Sequence, residues 1–96
     1  MTDKQKIELI KESWNMHAQV EAAYLDHSSK KGESDWLEKQ RLLLADMALH
    51  LLQTCMKPDV IELEKLKNNL HAILTISDQF IPYADLIKAT DRIYND

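Results

Sequence analysis

The sequence predicts an all-α fold: a four-helix antiparallel bundle-like domain with a short fourth helix, occupying residues 1–96 as a single helical domain. Three observations predict it. One glycine and two prolines in 96 residues leave few places for tight turns, and the abundant Leu, Ile, Ala, Glu, Lys and Gln are good helix formers. A hydrophobic content of 45% and a charged content of 29% suit one compact core but not two. Apolar residues recur with a period near 3.6 in four segments separated by helix-breaking punctuation, and no stretch alternates as a strand would.

The first segment runs from about Asp3 to Ser29 and ends in SSKKGES, where Gly32 can take a positive φ and the serines can bond local backbone groups. Its main stripe is Ile7, Ile10, Trp14, Ala18 and Leu25. Leu9, Met16, Val20 and Ala23 occupy a second region well round the cylinder. The second segment starts near Ser34 or Asp35, with Glu38 in capping-box register, and stops at Lys57 because Pro58 disfavours helix in the residue before it. Its main face carries Trp36, Leu37, Leu43, Leu44, Met47, Leu51 and Cys55, so Cys55 is expected to behave as a small hydrophobe. A second seam, Leu42, Ala45, Leu49, Leu52 and Met56, has heptad spacing. The polar strip is confined to Lys39, Asp46, His50, Gln53 and Lys57.

Asp59, with a second acid three positions on at Glu62, opens the third segment, which is expected to continue to about Phe80. Leu63, Leu66, Leu70, Ile73, Leu74, Ser77 and Ile81 form its single narrow stripe. Pro82 starts or kinks the last segment, where Tyr83, Leu86, Ile87, Thr90, Ile93 and Tyr94 make one face of a short helix.

The formal charge of −4, with acids interleaved among the bases, excludes the concentrated basic surface that a nucleic-acid partner requires. A single cysteine permits no internal disulfide and no CxxC metal site. The greasiest stretch, residues 42–52, is interrupted by Asp46 and His50 and is too short to span a bilayer, so no membrane partner is expected. These features together point to a cytoplasmic, acidic protein.

Candidate chemistry centres on HAQVEAAYL, residues 17–25. At helical pitch His17, Glu21 and Tyr24 share a face with Trp14, placing a carboxylate where an apolar side chain is expected. A buried carboxylate without a partner costs several kcal/mol or becomes neutral. His17, Glu21 and Tyr24 are therefore expected to form a buried polar pair at the edge of the core, with a metal- or small-ligand-binding bundle centred on His17 and Glu21 as the alternative. His17, Glu21, His50 and His71 fall on three helices, and imidazole with carboxylate suits zinc or iron. The Glu-x-x-His pairs of di-iron bundles are absent, so no metal ligand and no cofactor is assigned from the sequence.

Two short stretches resemble known families. HSSKKG, residues 27–32, is similar to the H-x-x-K-G pattern of histidine phosphotransfer domains, but its glycine comes one position late and the segment sits at a helix end. TDKQKIELIKESW is similar to the opening helix of globins over about a dozen residues, and the remaining chain is too short for a haem fold. Neither resemblance carries a functional residue into this chain. One glycine cannot build a P-loop or dinucleotide fingerprint, and no catalytic motif is present, so the chain is not expected to be an enzyme.

The first two helices carry more apolar surface than one contact line can cover. Cover by the rest of the chain is one explanation. The other, favoured for function, is a small protein–protein interaction module of the inhibitor, immunity, antitoxin or chaperone kind. Its apolar helical surface, built from Leu9, Met16, Leu42, Leu49 and Met56, would meet another protein or a second copy in a homodimer.

Overall fold

In the computed structural model, which describes residues 1–94, four α-helices succeed one another along the chain. They are α1 (Asp3–Asp26), α2 (Trp36–Met56), α3 (Leu63–Ser77) and α4 (Leu86–Ile93), with a 3₁₀ turn at Pro82–Ala84 before the last. The fold is all-helical, a small helical bundle as the sequence predicts, and among the described residues there is no strand.

The helix ends show how side chains compete for backbone groups. Thr2 starts α1 with a reciprocal capping box: its hydroxyl accepts from the Gln5 N–H at 3.1 Å and the Gln5 side chain accepts from the Thr2 N–H at 2.8 Å. The helix stops at Asp26, short of Ser29, because His27 turns extended and its Nδ1 accepts the Ser29 N–H at 3.3 Å. Gly32 does adopt φ +95. Asp35 precedes α2 without capping it, and Glu38 pairs with Arg41 at 3.1 Å instead. The expected start of the third helix at Asp59 is displaced to Leu63, since Asp59 sits at φ 81, outside the helical region. Glu62 takes the cap position, and its carboxylate meets Lys57 and Lys65. The helix closes at Ser77, three residues before Phe80. At the last helix Asp78 accepts the Leu86 N–H at 3.1 Å, supplying a partner for a first-turn donor.

Cross-helix contacts fix an antiparallel order. Between α1 and α2, Ser13 meets Gln53, His17 meets Asp46 and His50, and Tyr24 meets Lys39, so one index rises as the other falls. Thr54 meets Asn69 while Gln40 meets Gln79 across α2 and α3. Asn68 accepts from the Tyr94 hydroxyl where the end of the fourth helix reaches back along α3. Each helix packs chiefly on its neighbour in the chain. The result is a slab of 44 × 36 × 16 Å whose radius of gyration is 15.1 Å, against about 12.5 Å for a compact chain of this length.

This layout decides what is buried. Ile76 is the one large apolar side chain in the buried class among the described residues, whereas Ser13, Ser29, Gln40, Asp46 and Thr90 are all buried. The expected main stripe of the first helix is corrected: Ile7, Trp14, Ala18 and Leu25 are exposed, because α1 meets α2 along Ser13, His17 and Tyr24. Cys55 is likewise exposed, on the outward side of α2. Among the described residues no helix is long and apolar enough to cross a membrane.

Candidate functional site

His17 faces α2 from the middle of α1, and Asp46 and His50 face it from α2, four residues apart and therefore on one side of that helix. His17 Nε2 lies 3.2 Å from Asp46 Oδ1 and 3.1 Å from His50 Nε2, while His50 Nε2 lies 3.4 Å from Asp46 Oδ2. The other nitrogen of His17, Nδ1, is 3.3 Å from Glu21 Oε2, one turn along α1. Trp14 packs edge-on against both imidazoles, with ring centroids 5.0 Å from His17 and 6.1 Å from His50.

Burial makes the arrangement consequential. Asp46 is 8% exposed, and its Oδ1 accepts no hydrogen bond of good geometry. An unsatisfied buried carboxylate oxygen is among the least favourable groups a fold can hold. The proton inventory explains the shortage. If His17 donates from Nδ1 to Glu21, its neutral ring presents a lone pair at Nε2. One proton on His50 Nε2 then has to serve His17 and both oxygens of Asp46. An imidazolium at His17, donating to Glu21 and Asp46 together, is the alternative that needs no further component.

The site opens on one side. His50 and Trp14 also line a cleft of about 450 Å³ between the first three helices, whose other walls include Gln53, Thr54, Asn68 and Asn69. Two cross-helix hydrogen bonds involve residues of its wall: Gln53 donates to Ser13 at 3.1 Å and Thr54 donates to Asn69 at 2.6 Å.

The residues singled out from the sequence divide between the two sides of the slab. His17 and Glu21 do pair, but the Glu21 side chain is 51% exposed and Tyr24 is elsewhere, its ring under the Lys39 ammonium at 4.8 Å. The buried polar partner of His17 is Asp46. His71 stays apart, beside Tyr94 on α3, and His27 belongs to the turn after α1. Leu9, Met16, Leu42, Leu49 and Met56 lie away from the cleft: at 100° per residue, Leu9 and Met16 flank Ser13 on the side opposite Trp14, and Leu42 and Leu49 sit beside Asp46 and Gln53. None of the five is buried, with Met16 46% exposed and the other four half-buried.

Asp46 was readable only as part of a polar strip. Its i,i+4 spacing to His50 repeats the Glu21 to His17 spacing, a paired signal that single-helix reading does not connect across helices. No family model, no curated protein and no solved structure matches this chain.

Proposed function

We propose that the chain is a small protein-interaction module that acts through an apolar helical face, and that the surface which completes it is a second copy of itself. The observation that carries this reading is the area left open. The described surface is 6764 Å², whereas a compact monomer of 11.2 kDa exposes about 5,700 Å². The surplus, about 1,000 Å², is the size that one partner contributes to a standard stable interface, about 800 Å².

The side of the slab away from the cleft suits such a contact. Met16 and Leu9 border the line between α1 and α2, Leu49 and Met56 continue it, and Ala45 and Ala48 extend it to a shallow depression shared with Leu44, Phe80 and, at its rim, Arg41. Small alanines let a facing helix approach closely, and the leucines and methionines supply the area to be covered. Domains normally pack two layers of secondary structure around a core, and a second slab would provide the missing layer.

Sedimentation velocity over a concentration series tests the reading. The wild-type chain is expected to associate in the micromolar range, and Met16→Glu with Leu49→Glu to sediment as a helical monomer. A wild-type chain that stays monomeric to millimolar concentration would sink it.

A further inference from the structure

We infer that His17, Asp46 and His50 bind one divalent cation of the zinc class, which ties α1 to α2. This inference is independent of self-association, since all three residues belong to one chain and none of them belongs to the proposed contact face. The contact distances point to it first. In a tetrahedral site with metal–ligand bonds near 2.0–2.1 Å, neighbouring ligand atoms are about 3.3 Å apart. His17 Nε2 lies 3.1 Å from His50 Nε2, and each imidazole has its own nearer Asp46 oxygen, Oδ1 at 3.2 Å from His17 and Oδ2 at 3.4 Å from His50; taking one ligand atom from each residue, all three lie within 4.8 Å of one another.

Proton accounting points the same way. A cation at the centre accepts lone pairs from His17 Nε2, His50 Nε2 and Asp46 together, which removes the competition for a single proton. It also gives the buried Asp46 Oδ1, which accepts no hydrogen bond, a partner of opposite charge. Glu21 sits where an outer carboxylate orients a metal-bound histidine, 3.3 Å from Nδ1 and leaving Nε2 free to ligate. Two imidazoles with one carboxylate favour zinc and its transition-metal neighbours over magnesium or calcium, which take oxygen donors. Three protein ligands leave a fourth position, and the cleft beside His50 can admit water or a small ligand to it.

The fold has a use for such a tie. Ile76 is its one buried apolar side chain among the described residues, and small chains with thin cores commonly rely on a metal or other cross-link.

Isothermal titration with zinc chloride, on full-length protein carrying Cys55→Ser to remove the exposed thiol, tests the inference. One equivalent per chain is expected, with a rise in Tm on the order of 10 °C at a hundredfold excess over Kd. His17→Ala, His50→Ala and Asp46→Asn should each abolish uptake, while His27→Ala and His71→Ala leave it unchanged. Glu21→Gln, at an exposed position, should fold and weaken binding about 10- to 100-fold. Should the ligand variants fail to fold, imidazole ¹⁵N shifts of the parent protein decide: Nε2 of His17 and His50 must move on adding zinc while those of His27 and His71 do not. No stoichiometric uptake, or uptake that moves only His27 or His71, overturns the site.

Discussion

Gln79, in the turn after α3, holds α2 through a side chain that is itself only half-buried: it accepts from Trp36 Nε1 at 2.9 Å and donates to Gln40 at 2.9 Å. Gln40 is 3% exposed, so its carbonyl cannot turn to water when the donor is removed. Gln79→Ala should therefore destabilise the fold by about 1–3 kcal/mol, the cost of stranding a buried acceptor and an indole N–H. Urea unfolding monitored by circular dichroism measures it, and an unchanged midpoint would show that water replaces Gln79. The same logic governs His17 and Asp46, where the buried groups have fewer protons than acceptors. Between α1 and α2 the polar residues Ser13, His17, Asp46 and Gln53 lie on the contact line, so single polar side chains set how these two helices face each other.

At the scale of the element, the start of α3 is where local signals and final structure part. Asp59 and Glu62 read as a capping pair, yet the left-handed Asp59 leaves Glu62 to meet Lys57 and Lys65. These two ammonium groups, Lys57 foremost, hold the Glu62 carboxyl below its ordinary value of 4.5. A depressed carboxyl contributes stability above its unfolded value and loses it as pH falls through the folded one. The Tm difference between wild type and Glu62→Gln should therefore be full above pH 4.5 and close as acid is added below it. A difference that persists unchanged at lower pH would place the effect in packing instead of charge. Surface screening keeps this contribution small, and thermal scans at low salt resolve it best. Helix existence and order were legible because periodicity and breakers are local properties. The ends moved because each is decided by a side chain choosing between its own helix and a neighbour, as His27 does with Ser29.

For the whole molecule, the governing quantity is the ratio of covered to uncovered apolar surface. A slab of 44 × 36 × 16 Å has two broad faces, and neighbour-to-neighbour packing uses only the edges of each helix. Stability that depends on a second copy must depend on concentration, because association removes folded monomer from the unfolding equilibrium. The Tm is accordingly expected to rise by several degrees between micromolar and millimolar protein, and Met16→Glu with Leu49→Glu to abolish that rise. A Tm independent of concentration would mean that the slab is stable alone, whatever its shape.

Composition and periodicity determined the all-helical class, the four segments and their order, since propensity, breakers and the 3.6-residue repeat act within a few residues of chain. They also marked His17 with Glu21, one turn apart on a single helix. Only the tertiary structure decided that Asp46 and His50 complete that pair, that Tyr24 leaves it, and that Ile7, Ala18 and Leu25 are left exposed while Trp14 borders the cleft. A helix with apolar residues on two flanks and polar ones between them can be rotated either way against its neighbour. The choice is made by side chains some thirty residues distant, whose polar contacts are made in one rotation and lost in the other.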